Sequence, residues 1–349
     1  MAPFDHGPSL DDARLASGRA DILDLAGNEN AVGASPHVVD AVTRCASEAW
    51  RYPDSNCGEL GRMIAGRLGI EASRLVFGTG SEALLALIAR ATIEDGDRVI
   101  LSSPTFPIYA MLGRSLGGEV IDVPRRADYR LDADAVIQAL LRPAKLVFLC
   151  NPNNPTGTPV PREHLVAIGR GIGRTGLLIV DEAYHEFAAM EHPGDTLAAL
   201  DESGADYFVL RTFSKAYALG GFRVGYAIAR NPGLADYVHR VRPQFGVSNL
   251  AQIAAAAAWQ DQEHLTAAVE EIREARTALH RGLVDLGHDV LPSSANFLMV
   301  ADPDGALAKR LLGEGIIARR VPPDHIRLTV CRMKDVPRVI GAFARTGMD

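Results

Sequence analysis

The feature that most constrains the fold is a regular alternation of short apolar runs and helical patterns between residues 75 and 228. Runs of strand length occur at 75–77, 98–102, 119–123, 145–150, 177–181, 207–211 and 223–228. Several are apolar at successive positions, which suits strands that are covered on both faces. Helical patterns lie among them at 81–95, 133–142 and 161–175. We therefore expect an α/β domain with a largely parallel sheet.

The sequence pattern changes after about residue 230. Residues 249–285 are rich in Ala, Glu and Arg in a helical pattern, and the segments 296–300 and 325–330 read as strands. This combination predicts a smaller α+β domain. The first residues are rich in Asp, Gly, Pro and Ala, which favours an extended arm. We expect an arm at 1–40 that joins the small domain, a large domain at 41–240 and the small domain at 241–349.

Charge and cysteine content narrow the range of partners. The 349 residues carry a net charge of −7 with both signs spread along the chain, which argues against nucleic acid or an anionic membrane as the main partner. No apolar run reaches the roughly 20 residues that span a bilayer. Residues 1–8 lack the basic and apolar parts of a signal peptide. The cysteines Cys45, Cys57, Cys150 and Cys331 have no paired spacing, so we expect reduced thiols, no metal site and a cytoplasmic protein.

One segment places a lysine where nucleophilic chemistry is favoured. Residues 212–226 read Thr-Phe-Ser-Lys-Ala-Tyr-Ala-Leu-Gly-Gly-Phe-Arg-Val-Gly-Tyr, so Lys215 follows Ser214 and precedes Arg223. A lysine shielded from water and from other cations can lose its proton and attack as an amine. Ser214 and Arg223 can hold a phosphate beside it, as a Schiff-base cofactor such as pyridoxal phosphate requires. A buried strand and turn with one solvated lysine is the alternative.

A glycine-containing loop at 78–82 could bind the same phosphate. It reads Gly-Thr-Gly-Ser-Glu and separates a predicted strand from a predicted helix. Small residues let backbone N–H groups approach an anion, and the helix N-terminus adds partial positive charge. Ser81 can donate a further hydrogen bond. The alternative is a tight turn in which Ser81 caps the helix.

Two more polar segments follow buried strands. Residues 151–157 read Asn-Pro-Asn-Asn-Pro-Thr-Gly, and an amide held there can donate to a ligand oxygen. Asp181 begins the sequence Asp-Glu-Ala-Tyr at the end of an apolar strand. A carboxylate in that place is costly unless it meets a cation, and a protonated pyridine nitrogen is one. A helix cap and a metal ligand are the alternatives for Asp181, although a GxxxxGK[ST] loop is missing from the sequence.

Taken together, these motifs resemble those of fold-type I pyridoxal-phosphate enzymes of the aspartate aminotransferase superfamily. Within that superfamily the chain resembles the histidinol-phosphate aminotransferase group over nearly its whole length. The shared segments lie at 28–36, 51–54, 104–106, 154–157, 181–184, 214–223 and 327–330. The resemblance implies a large domain with a mostly parallel seven-stranded sheet, a smaller α+β domain, pyridoxal 5'-phosphate as cofactor and a homodimer with shared active sites.

The resemblance also implies roles around the cofactor ring. Lys215 would carry the cofactor as a Schiff base and move the α-proton, and Asp181 would keep the pyridine nitrogen protonated. Asn154 and Tyr184 would hydrogen-bond the ring oxygen. Phe106 would stack on the face of the ring.

Further residues are assigned by the resemblance to phosphate and substrate. The cofactor phosphate would lie among Gly80, Ser81, Glu82 (through its backbone), Ser214 and Arg223. Tyr52 would reach the phosphate in the neighbouring subunit. Asn30 and Arg327 would bind the substrate, with Arg327 clamping the α-carboxylate. Arg319 would meet a substrate phosphate, with Arg320 as its possible substitute.

The activity implied is transfer of an amino group from an amino acid to a 2-oxo acid such as 2-oxoglutarate, as in amino-acid biosynthesis. Histidinol phosphate is the first choice of donor, and an aromatic or basic amino acid is the second. The chain departs from the group at residues 31–34 and at Gly246, which bears on the donor and not on the cofactor. A lyase resembling threonine-phosphate decarboxylase, or another specialised enzyme with the same cofactor, is the alternative from a different reaction class.

Overall fold

The computed structural model describes residues 8–173, 176–321 and 323–346. In chain order, the helices of these residues are α1 (Leu10–Ser17), α2 (Pro36–Cys45), α3 (Gly58–Leu68), α4 (Ser81–Thr92), α5 (Ile108–Ser115), α6 (Ala133–Ala139), α7 (Arg162–Ile172), α8 (His185–Ala189), α9 (Thr196–Ser203), α10 (Pro232–His239), α11 (Asn249–Gln260), α12 (Gln262–Asp285), α13 (Leu307–Gly313) and α14 (Val336–Thr346). The strands are β1 (Leu23–Asp24), β2 (Leu75–Gly78), β3 (Arg98–Leu101), β4 (Glu119–Asp122), β5 (Leu146–Cys150), β6 (Leu177–Asp181), β7 (Asp206–Thr212), β8 (Gly225–Ala229), β9 (Phe297–Ala301), β10 (Ile316–Ile317), β11 (Arg319–Val321) and β12 (His325–Thr329).

The main sheet has seven strands in the order β2-β8-β7-β6-β5-β3-β4. Strand β8 runs antiparallel to its neighbours β2 and β7, and all other pairs are parallel. The prediction of a mostly parallel seven-stranded sheet in an α/β arrangement is confirmed.

The sheet is covered on both faces, which explains its continuous apolar strands. Along β5, Leu146 and Phe148 belong to one buried cluster, whereas Val147 and Leu149 belong to another. Successive side chains of a strand point to opposite faces, so the two clusters lie on opposite sides of the sheet. All five residues of β5 and all five of β6 are buried.

Two local predictions need correction. Residues 10–17 form helix α1 instead of an extended segment, because Ser9 and Asp12 make a reciprocal capping box. The predicted strand at 223–228 begins later, at Gly225, since Arg223 has a left-handed backbone with φ of 56°. The helical pattern predicted at 249–285 is confirmed, as the two helices α11 and α12 separated at Asp261.

The chain divides into two compact units. The core unit, Gly33–Asn154 and Thr158–Thr266, contains the seven-stranded sheet. The terminal unit comprises the described residues of Met1–Val32, Pro155–Gly157 and Ala267–Asp349. It contains an antiparallel sheet in the order β11-β12-β9 and a short parallel pair, β1 and β10. This is the smaller α+β part that the sequence predicts. Among the described residues, no helix is both long enough and apolar enough to cross a membrane.

Candidate active site

A buried carboxylate lies at the end of the central strand β6. Asp181 is 4% exposed, and its Oδ2 accepts a hydrogen bond of 2.8 Å from the hydroxyl of Tyr109. Its Oδ1 accepts a hydrogen bond of 3.2 Å from the backbone N–H of Ala183. Helix α8 begins at His185 with Tyr184 as its cap residue, so the alternative of Asp181 as a helix cap is wrong.

The surroundings of Asp181 shift the pKa of its carboxyl group toward neutral pH. Burial raises the pKa of Asp181 to about 6, while the hydrogen bonds from Tyr109 and Ala183 lower it. The neighbouring Glu182 raises the pKa further, and the positive charge of Lys215 lowers it. A cation bound beside Asp181 would relieve the cost of its buried negative charge.

Lys215 lies in the loop that follows β7, within electrostatic reach of Asp181. Its Nζ is 5.9 Å from the centroid of the Tyr184 ring, and the side chain is half-buried. The start of the loop is held by a hydrogen bond of 3.1 Å from the backbone N–H of Ser214 to Oγ1 of Thr212. The amine of this loop therefore lies in the same region of the core unit as the phenol of Tyr184 and the carboxylate of Asp181.

A cradle of polar groups lies at the N-terminus of α4. Gly80 caps this helix with φ of +87°, and a Cβ there would lie only 2.7 Å from Nη2 of Arg223. Nη1 of Arg223 donates to the carbonyl of Gly220 at 3.0 Å and lies 3.5 Å from Oγ of Ser214. Ser81 is the first residue of α4 and does not cap it, so the helix-cap alternative for Ser81 is wrong. A guanidinium, a helix N-terminus and hydroxyls thus meet, as phosphate binding requires.

The other predicted cofactor residues of the core unit differ in burial. Phe106 is half-buried and lies edge-on to Tyr109, with ring centroids 5.8 Å apart, and Asn154 is 8% exposed. The exposed Glu82 lies in the first turn of α4. Tyr52 is 82% exposed, and its ring lies 4.7 Å from that of Phe245.

The terminal unit holds the three predicted substrate residues. Arg319 pairs with Arg327 in the antiparallel ladder of β11 and β12, so both side chains project from one face of that sheet. Arg320 pairs with Ile326 and projects from the other face. Nη2 of Arg327 donates to the carbonyl of Ala26 at 2.5 Å. Asn30, the third of these residues, is 6% exposed, and its Oδ1 accepts a hydrogen bond of 3.1 Å from the backbone N–H of Val32.

Sequence reasoning missed two features of the site. One is Tyr109, the donor to Asp181. The other is the ion pair between Glu182 and Arg211, in which Arg211 holds the pKa of Glu182 well below its ordinary value although burial alone raises it. The position of Arg211 in the sequence could have predicted this ion pair, because a charged residue at the end of an apolar strand needs a buried partner. Tyr109 could not have been predicted, since nothing in the sequence distinguishes it from a core tyrosine.

Comparison with known proteins places this geometry in a family. The model of aminotransferase classes I and II matches residues 20–343. Histidinol-phosphate aminotransferase 2 of Caulobacter vibrioides is 40% identical over 341 residues, which cover 97% of this chain and 89% of that protein. Histidinol-phosphate aminotransferase of Moorella thermoacetica is 35% identical, with 91% and 83% covered. The crystal structure of histidinol-phosphate aminotransferase from Sinorhizobium meliloti, in complex with pyridoxal-5'-phosphate, matches with a TM-score of 0.90 at 31% identity and covers 99% of this chain and 95% of that one.

Proposed function

We propose, from the premise that the chain belongs to the class I and II aminotransferase family, that it uses pyridoxal phosphate to move the amino group of histidinol phosphate to 2-oxoglutarate. The family match and the relatives confirm the predicted family, the fold-type I architecture and the activity of a transaminase. The observation that carries the assignment of the site is the buried Asp181 with the amine of Lys215 in electrostatic reach.

The residues of the core unit fit the cofactor. The absence of a Cβ at Gly80 lets the guanidinium of Arg223 lie close to the N-terminus of α4, where it supplies positive charge for a phosphate. We assign phosphate binding to Gly80, Ser81, Ser214, Arg223 and the backbone of Glu82. When bound, pyridoxal phosphate supplies an electron sink for the bond that is cleaved at Cα of the amino acid.

The ring of the cofactor would be held by the residues near Asp181. We assign Asp181 to hold the proton on the ring nitrogen, because its raised pKa shows a carboxylate in need of a cation. Asn154 and Tyr184 would bind the ring oxygen, and Phe106 would cover one face of the ring.

Lys215 has two tasks in this proposal. Its Nζ would hold the cofactor covalently, and its amine would also accept the proton from Cα of the amino acid. The side chain is half-buried, and its Nζ lies 5.9 Å from the centroid of the Tyr184 ring.

Substrate binding is assigned to the terminal unit. Arg327 would bind the α-carboxylate through a bidentate pair, and Asn30 would assist it. Arg319 projects from the same face of the sheet as Arg327, whereas Arg320 projects from the opposite face. We therefore assign a second anionic group of the substrate to Arg319. The phosphate of histidinol phosphate and the distal carboxylate of 2-oxoglutarate both satisfy that requirement.

We propose that the enzyme acts as a homodimer. Tyr52 is 82% exposed in the single chain and packs against the partly exposed Phe245. A large exposed aromatic side chain is costly in water, which supports its burial by a second copy. In that dimer Tyr52 would reach the cofactor phosphate of the neighbouring subunit.

The experiment is to incubate the cofactor-loaded protein with histidinol phosphate and 2-oxoglutarate, and to measure both glutamate and CO2. The proposal expects one glutamate for each donor consumed, no CO2 and no turnover by Lys215→Ala. Release of CO2 without formation of glutamate would show that the enzyme is a lyase and not a transaminase. Glutamate formation with other amino acids but not with histidinol phosphate would overturn the donor alone.

A further inference from the structure

Tyr109 is a completely buried tyrosine whose position is fixed on three sides. Its ring stacks on Phe148, with centroids 4.9 Å apart and an interplanar angle of 12°. Its edge meets Phe106 at 5.8 Å and 87°. Its hydroxyl lies 2.8 Å from Oδ2 of Asp181. The two aromatic neighbours hold the ring so that the hydroxyl points at the carboxylate.

The groups around Asp181 leave Tyr109 as its neutral side-chain donor. Tyr109 lies on α5 and Cys150 lies on β5. Glu182 directly follows Asp181 in the chain, and Lys215 lies in the loop after β7. Burial raises the pKa of Tyr109 well above its ordinary value, and it raises the pKa of Cys150 to about 12. Both groups therefore stay protonated, and the thiol lies 3.4 Å from the carbonyl of Pro152.

We propose that Tyr109 is a positioning residue of the reaction, which holds Asp181 ionised and in one orientation through the hydroxyl bond to Oδ2. The proposal rests on the role assigned to Asp181 above. Oδ1 is held by the backbone N–H of Ala183, so the two bonds together fix the plane of the carboxylate. A hydrogen bond to the charged form of an acid favours that form, and it is stronger in a buried site than in water.

Tyr109→Phe tests the inference because it removes the hydroxyl and keeps the ring in its aromatic stack. We would titrate pyridoxal phosphate into cofactor-free protein between pH 5 and 8.5 and follow the bound fraction. Binding needs an ionised Asp181, so affinity falls as the pH drops through its pKa. In the variant this pKa is higher. The midpoint of the fall should move up by about one pH unit, so affinity should drop about threefold near pH 6.5 and about tenfold near pH 5.

Tyr207→Phe is the matched control. Tyr207 is equally buried, on β7 of the same sheet, and its hydroxyl donates to Asp201 at 2.8 Å, remote from Asp181. This variant should bind the cofactor with the pH dependence of the unchanged protein. In an Asp181→Asn background, Tyr109→Phe should no longer move the midpoint, because the titrating group is gone.

A midpoint in Tyr109→Phe that coincides with that in Tyr207→Phe would overturn the inference. If Tyr109→Phe does not fold, 3-fluorotyrosine can be placed at position 109, where it keeps the hydroxyl and strengthens it as a donor. The pH midpoint of cofactor binding should then move down. An unchanged midpoint would equally count against the inference. If Asp181→Asn itself binds the cofactor with unchanged affinity, the proposed role of Asp181 fails, which is a different result.

Discussion

Nη2 of Arg211 lies 2.8 Å from Oε2 of Glu182, and both side chains are buried. Glu182 also accepts a hydrogen bond of 2.5 Å from Oγ1 of Thr196. Glu182 directly follows Asp181 at the end of β6, and Arg211 is near the end of β7, shortly before Lys215. The ion pair therefore joins the two strand ends from which the carboxylate and the amine of the site project.

Breaking this pair should cost more than breaking an ion pair on the surface. Glu182→Gln keeps the shape of the side chain and leaves the buried Arg211 without its ion-pair partner, so the free energy of unfolding should fall by about 3–5 kcal/mol. The matched control is Glu202→Gln, which removes the exposed pairs with Arg162 and Arg170 and should lower the free energy of unfolding much less. Urea unfolding measures both. Equal losses in the two variants would show that the buried pair does not hold the strand ends.

The cradle at Gly80 should not tolerate a methyl group. Gly80→Ala places a Cβ 2.7 Å from Nη2 of Arg223, so the guanidinium must move and the affinity for pyridoxal phosphate should fall at least about tenfold. Gly96→Ala is the control, because Gly96 has a similar positive φ of +82°, with nothing within 4 Å of the added atom. Both variants carry the backbone strain, and the control should keep its cofactor affinity. Equal cofactor affinities in the two variants would remove the phosphate site from this loop.

The face on which each arginine lies predicts its effect on kinetics. Arg327→Lys should raise KM for every amino acid, because lysine cannot form a bidentate pair with the α-carboxylate. Arg319→Lys should raise KM about tenfold for donors with a second anionic group and little for alanine. Arg320→Lys is the control from the opposite face and should change neither. A larger effect of Arg320→Lys than of Arg319→Lys on a phosphorylated donor would reverse the assignment.

The raised pKa of Asp181 gives stability a pH dependence in the cofactor-free protein. The folded pKa of about 6 lies above the ordinary value of 3.8 for an aspartate, so folding binds a proton between these two pH values and stability falls as the pH rises through them. Above pH 6 the free energy of unfolding is lower by about 3 kcal/mol, and below pH 4 this loss is absent. Asp181→Asn lacks this loss, so its stability relative to the unchanged protein should increase from pH 4.5 to pH 7.5. Parallel urea-unfolding curves at the two pH values would contradict the shift.

The sheet could be predicted from the sequence, because burial on both faces requires apolar residues at successive positions of a strand. Strands β5 and β6 are apolar at nearly every position, and no exposed strand needs that composition. Helices α2 and α3 were not predicted, because Gly, Pro and Asp near them resemble loop composition more than an amphipathic pattern. Arg223 was assigned to a strand because its left-handed backbone at the turn has no signature in a residue other than glycine.

The groups of the candidate site could be found in the sequence, whereas their mutual contacts could not. Polar residues at the ends of apolar strands identified Asp181 and Lys215. The bond from Tyr109 to Asp181 joins residues 72 positions apart and depends on how α5 packs against the sheet. The choice between Arg319 and Arg320 depends on the register of β11 and β12, and one residue of slip would exchange the two side chains.

The most direct test of the account is to trap the covalent bond between Lys215 and the cofactor. The sequence contains only four lysines, Lys145, Lys215, Lys309 and Lys334, so the site of attachment can be read without ambiguity. Protein loaded with pyridoxal phosphate would be reduced with borohydride, digested and mapped by mass spectrometry. We expect one cofactor on the peptide that contains Lys215 and none on the other three lysines; label on another lysine, or no label at all, would contradict the account.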